Sequence, residues 1–148
     1  MEPVTNIFPV ITLYQPWATW IMRGWKTIET RTHNRFKCLE HRFILIHAGM
    51  NTDNTPWSRN NPYLTEQQIY ENPKEMVNGY ILGTAYVQAF SKLEGTASKR
   101  ALIDCEIVDR WGLYLVGVRK FEEPIKCNGS MGIWYYDLDK KEKVKINN

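Results

Sequence analysis

Three charged side chains near the N-terminus have types and spacing that suit the binding of a nucleotide. They are Lys26, Glu29 and Arg31. Lysine and arginine hold phosphate or keto oxygens, and a carboxylate accepts hydrogen bonds from the exocyclic amines and ring N–H groups of a base. Glu29 and Arg31 lie two positions apart in a strand-like segment, so they project from one face. The pattern predicts a nucleotide site, with a partly buried Glu29–Arg31 ion pair and a solvated Lys26 as the structural alternative.

A helix is predicted to begin just before these residues, at Gln15-Pro16-Trp17. Proline has a pre-set φ and no N–H group, which suits the first turn of a helix. The unpaired N–H groups of that turn are candidates for holding a phosphate or a base carbonyl. The alternatives are that Gln15 is only an N-cap and that Trp17 packs in the core, because Trp17 and Trp20 share one helical face.

Two further tryptophans and a histidine are candidate ligand-binding residues. Trp25 lies beside a glycine and Trp57 lies in a polar loop, where flat rings could stack on bases or pack against the fold. His47 ends an apolar strand, where the mouth of a barrel is expected, and its alternative role is a hydrogen-bonded structural histidine.

These residues must be positioned by many short strands and two short helices. Strands are predicted over residues 7–14, 27–32, 43–46, 79–90, 101–108, 113–118 and 133–136, and helices from Pro16 and from the capping box of Thr65 and Gln68. Residues 50–62 are predicted to form a loop, and Pro124 with the two preceding glutamates is expected to interrupt strand pairing. The pattern predicts one α+β domain over residues 1–148, a small, partly closed β-barrel of about five to six mixed strands flanked by short α-helices, with residues 139–148 as a flexible polar tail.

Composition limits the classes of protein to which this chain can belong. The net charge is +3, but residues 23–42 contain six basic and two acidic residues, a local charge of +4 that suits an anionic partner. Three widely spaced cysteines indicate free thiols in a reducing compartment. The first residues do not show the charged-then-apolar pattern of a signal peptide, and no apolar run approaches membrane-spanning length, so we expect a soluble, cytoplasmic protein with no membrane partner.

No metal or cofactor is predicted. His33, Cys38 and His41 have a spacing that could be drawn as a zinc site, but no convincing fourth ligand accompanies them.

Five segments carry a resemblance to a known family. They are ITLYQPWA at 11–18, GWKTIETR at 24–31, GYILGTA at 79–85, FEEPI at 121–125 and GSMGIW at 129–134. Their order and spacing resemble the ASCH (activating signal cointegrator homology) family of the PUA-like superfamily. The resemblance implies a PUA-like barrel with a cleft between the first helix and the barrel, and it assigns Gln15, Lys26, Glu29 and Arg31 to that cleft.

The resemblance also implies the function. We expect a module that binds RNA, single-stranded nucleic acid or a nucleotide. One subgroup of the family removes the acetyl group from acetylcytidine with a Lys and a Thr of a Gly-x-Lys-Thr-x-Thr-x-Arg segment and a downstream Glu. Lys26 matches that Lys, and Glu29 stands at the Thr position. A hydrolase of modified nucleosides or RNA is therefore an alternative, with Lys26 and Glu29 catalytic.

The protonation of Lys26 bears on the catalytic alternative. Burial beside Arg31 would lower the pKa of Lys26 and make it a base or nucleophile, whereas a salt bridge to Glu29 would keep it protonated unless it is strongly buried. A third hypothesis is an adaptor whose aromatic and basic surface binds a protein partner.

Overall fold

The computed structural model describes residues 5–54, 61–71, 73–105 and 110–145. Within these ranges the strands are β1 (Ile7–Gln15), β2 (Ile28–Arg31), β3 (Phe43–Thr52), β4 (Tyr80–Lys92), β5 (Trp111–Lys126), β6 (Ile133–Asp137) and β7 (Glu142–Val144), and the α-helices are α1 (Trp17–Met22), α2 (Glu66–Ile69) and α3 (Ser98–Ala101). Short 3-10 turns occur at Lys37–Leu39, Pro73–Glu75 and Gly95–Ala97. None of the helices in these ranges has the length and apolar character needed to cross a bilayer.

All seven strands of the described ranges join one sheet in the order β2-β5-β4-β3-β1-β6-β7. The β1–β3 pair is parallel and the other pairs are antiparallel. Arg31 of the edge strand β2 and Ile133 of β6, near the opposite edge, line the same cleft, so the sheet is curled. The predicted α+β class is confirmed, with seven strands in place of the expected five to six.

The central strands are apolar on both faces because both faces are covered. Successive side chains of a strand point to opposite faces. Ile11 and Ile46 therefore lie in the larger core, beneath α1, whereas Val10 and Leu45 pack on the other face against Trp134. This double burial explains why β1 and β3 begin as continuous apolar runs without polar alternation.

The predicted strand over residues 101–108 is wrong where the structure describes it. Ala101 ends α3, and Leu102 follows with a left-handed φ of 62°. Ala101 and Cys105 are buried against Ile28 and Leu93, so the apolar residues of this segment cover the sheet. A short apolar run has the same composition in a covering helix as in a strand, and its periodicity cannot distinguish them. Residues 106–109 lie outside the described ranges.

Several polar segments differ from their predicted structure. β3 continues to Thr52, past the predicted start of the loop. β7 pairs with β6 within the stretch expected to be a polar tail. An edge strand bonds through its backbone on one side and exposes its side chains, so it needs no apolar pattern. Ile81 of β4 lies opposite Ile125 and Gly83 lies opposite Lys120, so the register shifts between these pairs and the expected irregularity around Pro124 is present inside β5.

Candidate functional site

A cleft of about 1090 Å³ lies beside the N-terminal part of α1, between β2 and the segment that leads into β6. Its charged lining residues are Lys26, Glu29, Arg31, Arg35, Asp53 and Arg110. The pKa of His33, which also lines the cleft, is lowered by desolvation and by nearby Arg35, so this imidazole is neutral at pH 7. Four cations and two carboxylates leave the cleft with a net charge of +2.

Lys26 lies at the buried end of this cleft. Helix α1 ends before Gly24, whose φ of 78° turns the chain, and the Lys26 N–H then donates to the Trp20 carbonyl at 3.2 Å. The Lys26 ammonium donates to the Ala101 carbonyl and lies 4.6 Å from the centre of the Trp17 ring. Only 1% of Lys26 is exposed. It is therefore held by contacts from two sides and is not a solvated surface lysine.

Burial dominates the electrostatics of Lys26. Desolvation lowers the pKa of its ammonium from 10.5 to about 8, although Glu29 raises that pKa and nearby Arg31 lowers it further. The Glu29 carboxylate lies 3.7 Å from the Lys26 Nζ. Burial therefore changes the pKa of Lys26 more than the salt bridge to Glu29 does.

Glu29 and Arg31 form a close ion pair on one face of β2. The Arg31 Nη1 donates to Glu29 Oε2 at 3.0 Å, and the Thr30 N–H donates to Glu29 Oε1 at 3.1 Å. Glu29 is 5% exposed, whereas the Arg31 side chain is 21% exposed. Both carboxylate oxygens of Glu29 are engaged, so Arg31 is the member of the pair that a ligand can reach more readily.

Trp17 belongs to both the core and the cleft. It packs edge-on against Trp20, with ring centroids 5.6 Å apart, and its Nε1 donates to Asp53 Oδ2 at 3.0 Å. Pro16 is buried and occupies the N-cap of α1, one position before the predicted one. Neither Pro16 nor Gln15 lines the cleft.

Gln15 is directed into the protein. Its side chain is fully buried, its Oε1 accepts from the Thr19 N–H at 3.0 Å, and its Nε2 donates to the Val77 carbonyl at 2.8 Å. These bonds connect the first turn of α1 to the segment before β4. The structure therefore brings Lys26, Glu29 and Arg31 together and places the Gln15 side chain elsewhere.

Trp25 and His47 also lie outside the cleft lining. Trp25 is half-buried, and the Arg23 guanidinium lies 4.8 Å from the centre of its ring. Trp57 falls outside the described residues.

His47 is buried in a hydrogen-bonded chain. Its Nε2 lies 2.6 Å from the Cys127 carbonyl, which can only accept, so Nε2 donates and Nδ1 accepts from the Thr12 hydroxyl at 3.2 Å. That hydroxyl in turn accepts from the Trp134 indole at 3.0 Å. These hydrogen bonds agree with the alternative role of His47 as a structural histidine.

The sequence interpretation missed Arg110. It comes directly before β5, and β5 pairs with β2 so that Trp111 lies opposite Arg31. This register brings Arg110 to the cleft, where its Nη1 donates to the Thr30 hydroxyl at 3.3 Å. No local motif marks this arginine, and only the pairing of β2 with β5 could have revealed it.

Asp53 and the segment Ser130–Ile133 were also missed as cleft residues. β3 carries Asp53 towards α1 because it extends beyond its apolar run, and the Asp53 N–H donates to the Gln15 carbonyl at 2.7 Å. Across the ranges that the structure describes, no cluster of three or more His, Cys, Asp or Glu side chains could hold a metal ion.

Comparison with known proteins identifies the family. The family model described as ASCH domain matches residues 11–146. The chain belongs to the ASCH domain family. This ASCH chain also resembles the crystal structure of ASCH from Zymomonas mobilis, with 17% identity and a TM-score of 0.53 over 80% of this chain and 72% of that chain.

A serine-to-alanine mutant of ZmASCH from the same organism has 18% identity and a TM-score of 0.50, over 83% of the ASCH chain and 77% of its own. At these identities the likeness shows the fold alone. No curated protein matches the sequence.

Proposed function

We propose that this ASCH domain binds single-stranded RNA or a nucleotide in the cleft beside α1. The observation that carries the proposal is the convergence of Arg31, Arg35 and Arg110 on one concave surface with a net charge of +2. Arg35 is exposed, and the other two are half-buried. Guanidinium groups in this setting can form paired hydrogen bonds with phosphate oxygens.

The rim of the cleft adds surfaces suited to bases. Tyr14 is 52% exposed and Met131 is 97% exposed. Any of the bases can stack on a tyrosine ring, because every base has a flat π-face. The cleft volume of about 1090 Å³ is slightly above the roughly 300–1000 Å³ of small-molecule sites, so it suits one or a few nucleotides rather than a long duplex.

Salt-dependent binding tests this proposal. We expect a fluorescently labelled single-stranded RNA of mixed sequence to bind with an affinity that falls as KCl rises, because phosphate contacts release counterions. Arg35→Ala should weaken binding and reduce the slope of log K against log salt by about 1. Arg119→Ala is the matched control, because Arg119 is exposed on β5 and does not line the cleft. Equal losses in both variants, or an affinity independent of salt, would count against the cleft.

The buried Lys26 favours a second function, the hydrolysis of an acylated nucleoside. With a pKa of about 8, about a tenth of the Lys26 side chains are neutral at pH 7. A neutral amine can take a proton from water while the water oxygen adds to the acyl carbon; the C–N bond then breaks, and the leaving amine receives the proton. Glu29, bonded to Arg31, would help to fix the position of Lys26.

Turnover of acetylcytidine tests this second function. We expect the parent to release acetate and cytidine at a rate that rises between pH 6 and 8, as Lys26 loses its proton. Lys26→Met should abolish turnover, whereas Lys120→Met, which changes an exposed lysine, should not. Absence of turnover by the parent would leave binding as the function of the cleft.

A further inference from the structure

Two guanidinium groups converge on Thr30 at the cleft surface. The Arg31 Nη1 donates to the Thr30 carbonyl at 3.0 Å, and the Arg110 Nη1 donates to the Thr30 hydroxyl at 3.3 Å. The antiparallel register, with Arg31 opposite Trp111, brings Arg31 of β2 and Arg110, which directly precedes β5, to this residue. Two like charges are thus gathered around one backbone position.

The positive charge here is incompletely balanced. Glu29 is paired with Arg31 and also lies near Lys26. No carboxylate forms an ion pair with Arg110 among the described residues, and its buried Nε has no hydrogen-bond partner there. A buried N–H group without an acceptor is unfavourable, so an anion that supplies oxygens at this position would stabilise the arrangement.

We propose that Arg31 and Arg110 together bind a terminal phosphomonoester of a nucleotide or an RNA strand. This inference rests on the proposed function and adds the chemical group that the cleft selects. Arg110 uses Nη1 for Thr30, which leaves the edge of the guanidinium that carries Nε for a side-on, paired contact with phosphate.

Charge favours a monoester over the diester within a strand. A phosphomonoester carries a charge of about −1.5 to −2 at pH 7, and an internal phosphodiester carries one negative charge. The net charge of the cleft is +2, so the monoester neutralises it more completely. The same chemistry is offered by a free mononucleotide and by the phosphorylated end of an RNA strand.

The experiment compares matched ligands that differ only in the terminal phosphate. Isothermal titration calorimetry would measure binding of cytidine against cytidine 5′-monophosphate, and of one short RNA with a 5′-hydroxyl, a 5′-phosphate or a 3′-phosphate. The proteins would be the parent, Arg110→Gln, Arg110→Lys and the control Arg119→Gln. Thermal unfolding of each variant would establish that it is folded.

We expect the parent to bind a phosphorylated ligand at least about tenfold more tightly than its hydroxyl counterpart. A tenfold difference in affinity is about what one charge-assisted hydrogen bond contributes. Arg110→Gln should remove most of this preference while leaving affinity for the hydroxyl ligand nearly unchanged. Arg110→Lys should retain part of it, because lysine keeps the charge but not the paired geometry. Arg119→Gln should keep the full preference.

The outcomes separate this inference from the proposed function. Equal affinity of the parent for phosphorylated and hydroxyl ligands would overturn the phosphomonoester site and leave nucleotide binding intact. A preference that survives in folded Arg110→Gln would overturn the role of Arg110. If Arg110→Gln does not fold, Arg110→Lys tests the role of Arg110 instead. An undiminished preference of Arg110→Lys for phosphorylated ligands would count against the paired contact. Failure of every ligand to bind would overturn both proposals. The comparison of mononucleotides with RNA shows which source of phosphate is preferred.

Discussion

The Lys26 ammonium lies 3.7 Å from the Glu29 carboxylate, yet its pKa is lowered to about 8. Glu29 attracts the charged form of Lys26 but is itself bonded to Arg31, whose positive charge opposes that of Lys26. Full burial disfavours the charged form and lowers the pKa of Lys26, so the neutral fraction of this amine is larger than that of an exposed lysine. An ion pair within 4 Å is consequently insufficient to keep this lysine at its ordinary pKa.

Lys26 should make protein stability depend on alkaline pH. Its pKa is about 8 in the folded protein and near 10.5 in the unfolded chain, so the unfolded chain binds more protons between these values. The contribution of Lys26 to the free energy of unfolding therefore rises with pH across this window, by about 3–4 kcal/mol in total. Below pH 8 Lys26 is protonated in both the folded and the unfolded chain, so the cost of burying its charge fully lowers the free energy of unfolding.

Urea unfolding at pH 7 and pH 10 measures this contribution. The difference in free energy between the parent and Lys26→Met should shift towards the parent at the higher pH. Lys120→Met removes an exposed lysine and should show no such shift. Parallel pH profiles for the parent and Lys26→Met would contradict the lowered pKa.

Gln15 should contribute to stability rather than to binding. In Gln15→Glu the carboxylate can still accept from the Thr19 N–H, but it cannot donate to the Val77 carbonyl. We expect a loss of roughly 2–4 kcal/mol in the free energy of unfolding, because a buried carbonyl loses its donor and a charge is buried.

Denaturant unfolding and RNA binding together test the role of Gln15. Gln88→Glu makes the same chemical change at an exposed position of β4 and should cost little. RNA affinity of folded Gln15→Glu, measured well below its unfolding temperature, should match that of the parent. A selective loss of affinity without a loss of stability would place Gln15 in the ligand site after all.

His47 should make the protein sensitive to acid. Burial lowers the pKa of His47 below its ordinary 6.5, although its hydrogen bond to Cys127 acts in the opposite direction. The unfolded chain therefore binds a proton first as pH falls, and the stability due to neutral His47 is lost from about pH 6.5 downwards. His47→Gln should cost about 1–3 kcal/mol at pH 7.5, since its hydrogen bonds are disrupted.

Thermal unfolding between pH 7.5 and pH 5 tests this effect. The profile of His47→Gln should be flatter than that of the parent. His41→Asn is a suitable control, because asparagine tolerates the φ of 65° at this position. The interpretation of His47 would be wrong if the parent and His47→Gln lost equal stability on acidification.

Asp53 should weaken the binding of anions to the cleft. Asp53→Asn removes a negative charge but keeps an oxygen that can accept from the Trp17 indole. We expect RNA affinity to rise by about two- to fivefold at low salt and the gain to shrink as salt screens the charge. Anisotropy titrations at two KCl concentrations would measure it, with the exposed Glu123→Gln as the control. Unchanged or weaker binding by Asp53→Asn would argue that the anion binds elsewhere.

Local patterns in the sequence were sufficient for much of the fold. The apolar run of β3 and the Thr65–Gln68 capping box were predicted, and the capping box has both of its hydrogen bonds in the structure. The spacing of Glu29 and Arg31 on a strand offered their ion pair as the structural alternative, and the structure contains that pair. Each of these features depends on residues that are neighbours along the chain.

Contacts between distant segments decided the rest. The pKa of Lys26 is lowered because the folded chain buries its ammonium, Gln15 turns inward because the Val77 carbonyl accepts its hydrogen bond, and Arg110 reaches the cleft through the register of β5 on β2. By itself the sequence determined which residues form most of the strands and which charges lie near α1. The tertiary structure decided which of those charges are buried, paired or accessible, because desolvation and strand register arise only when segments far apart in the chain come together.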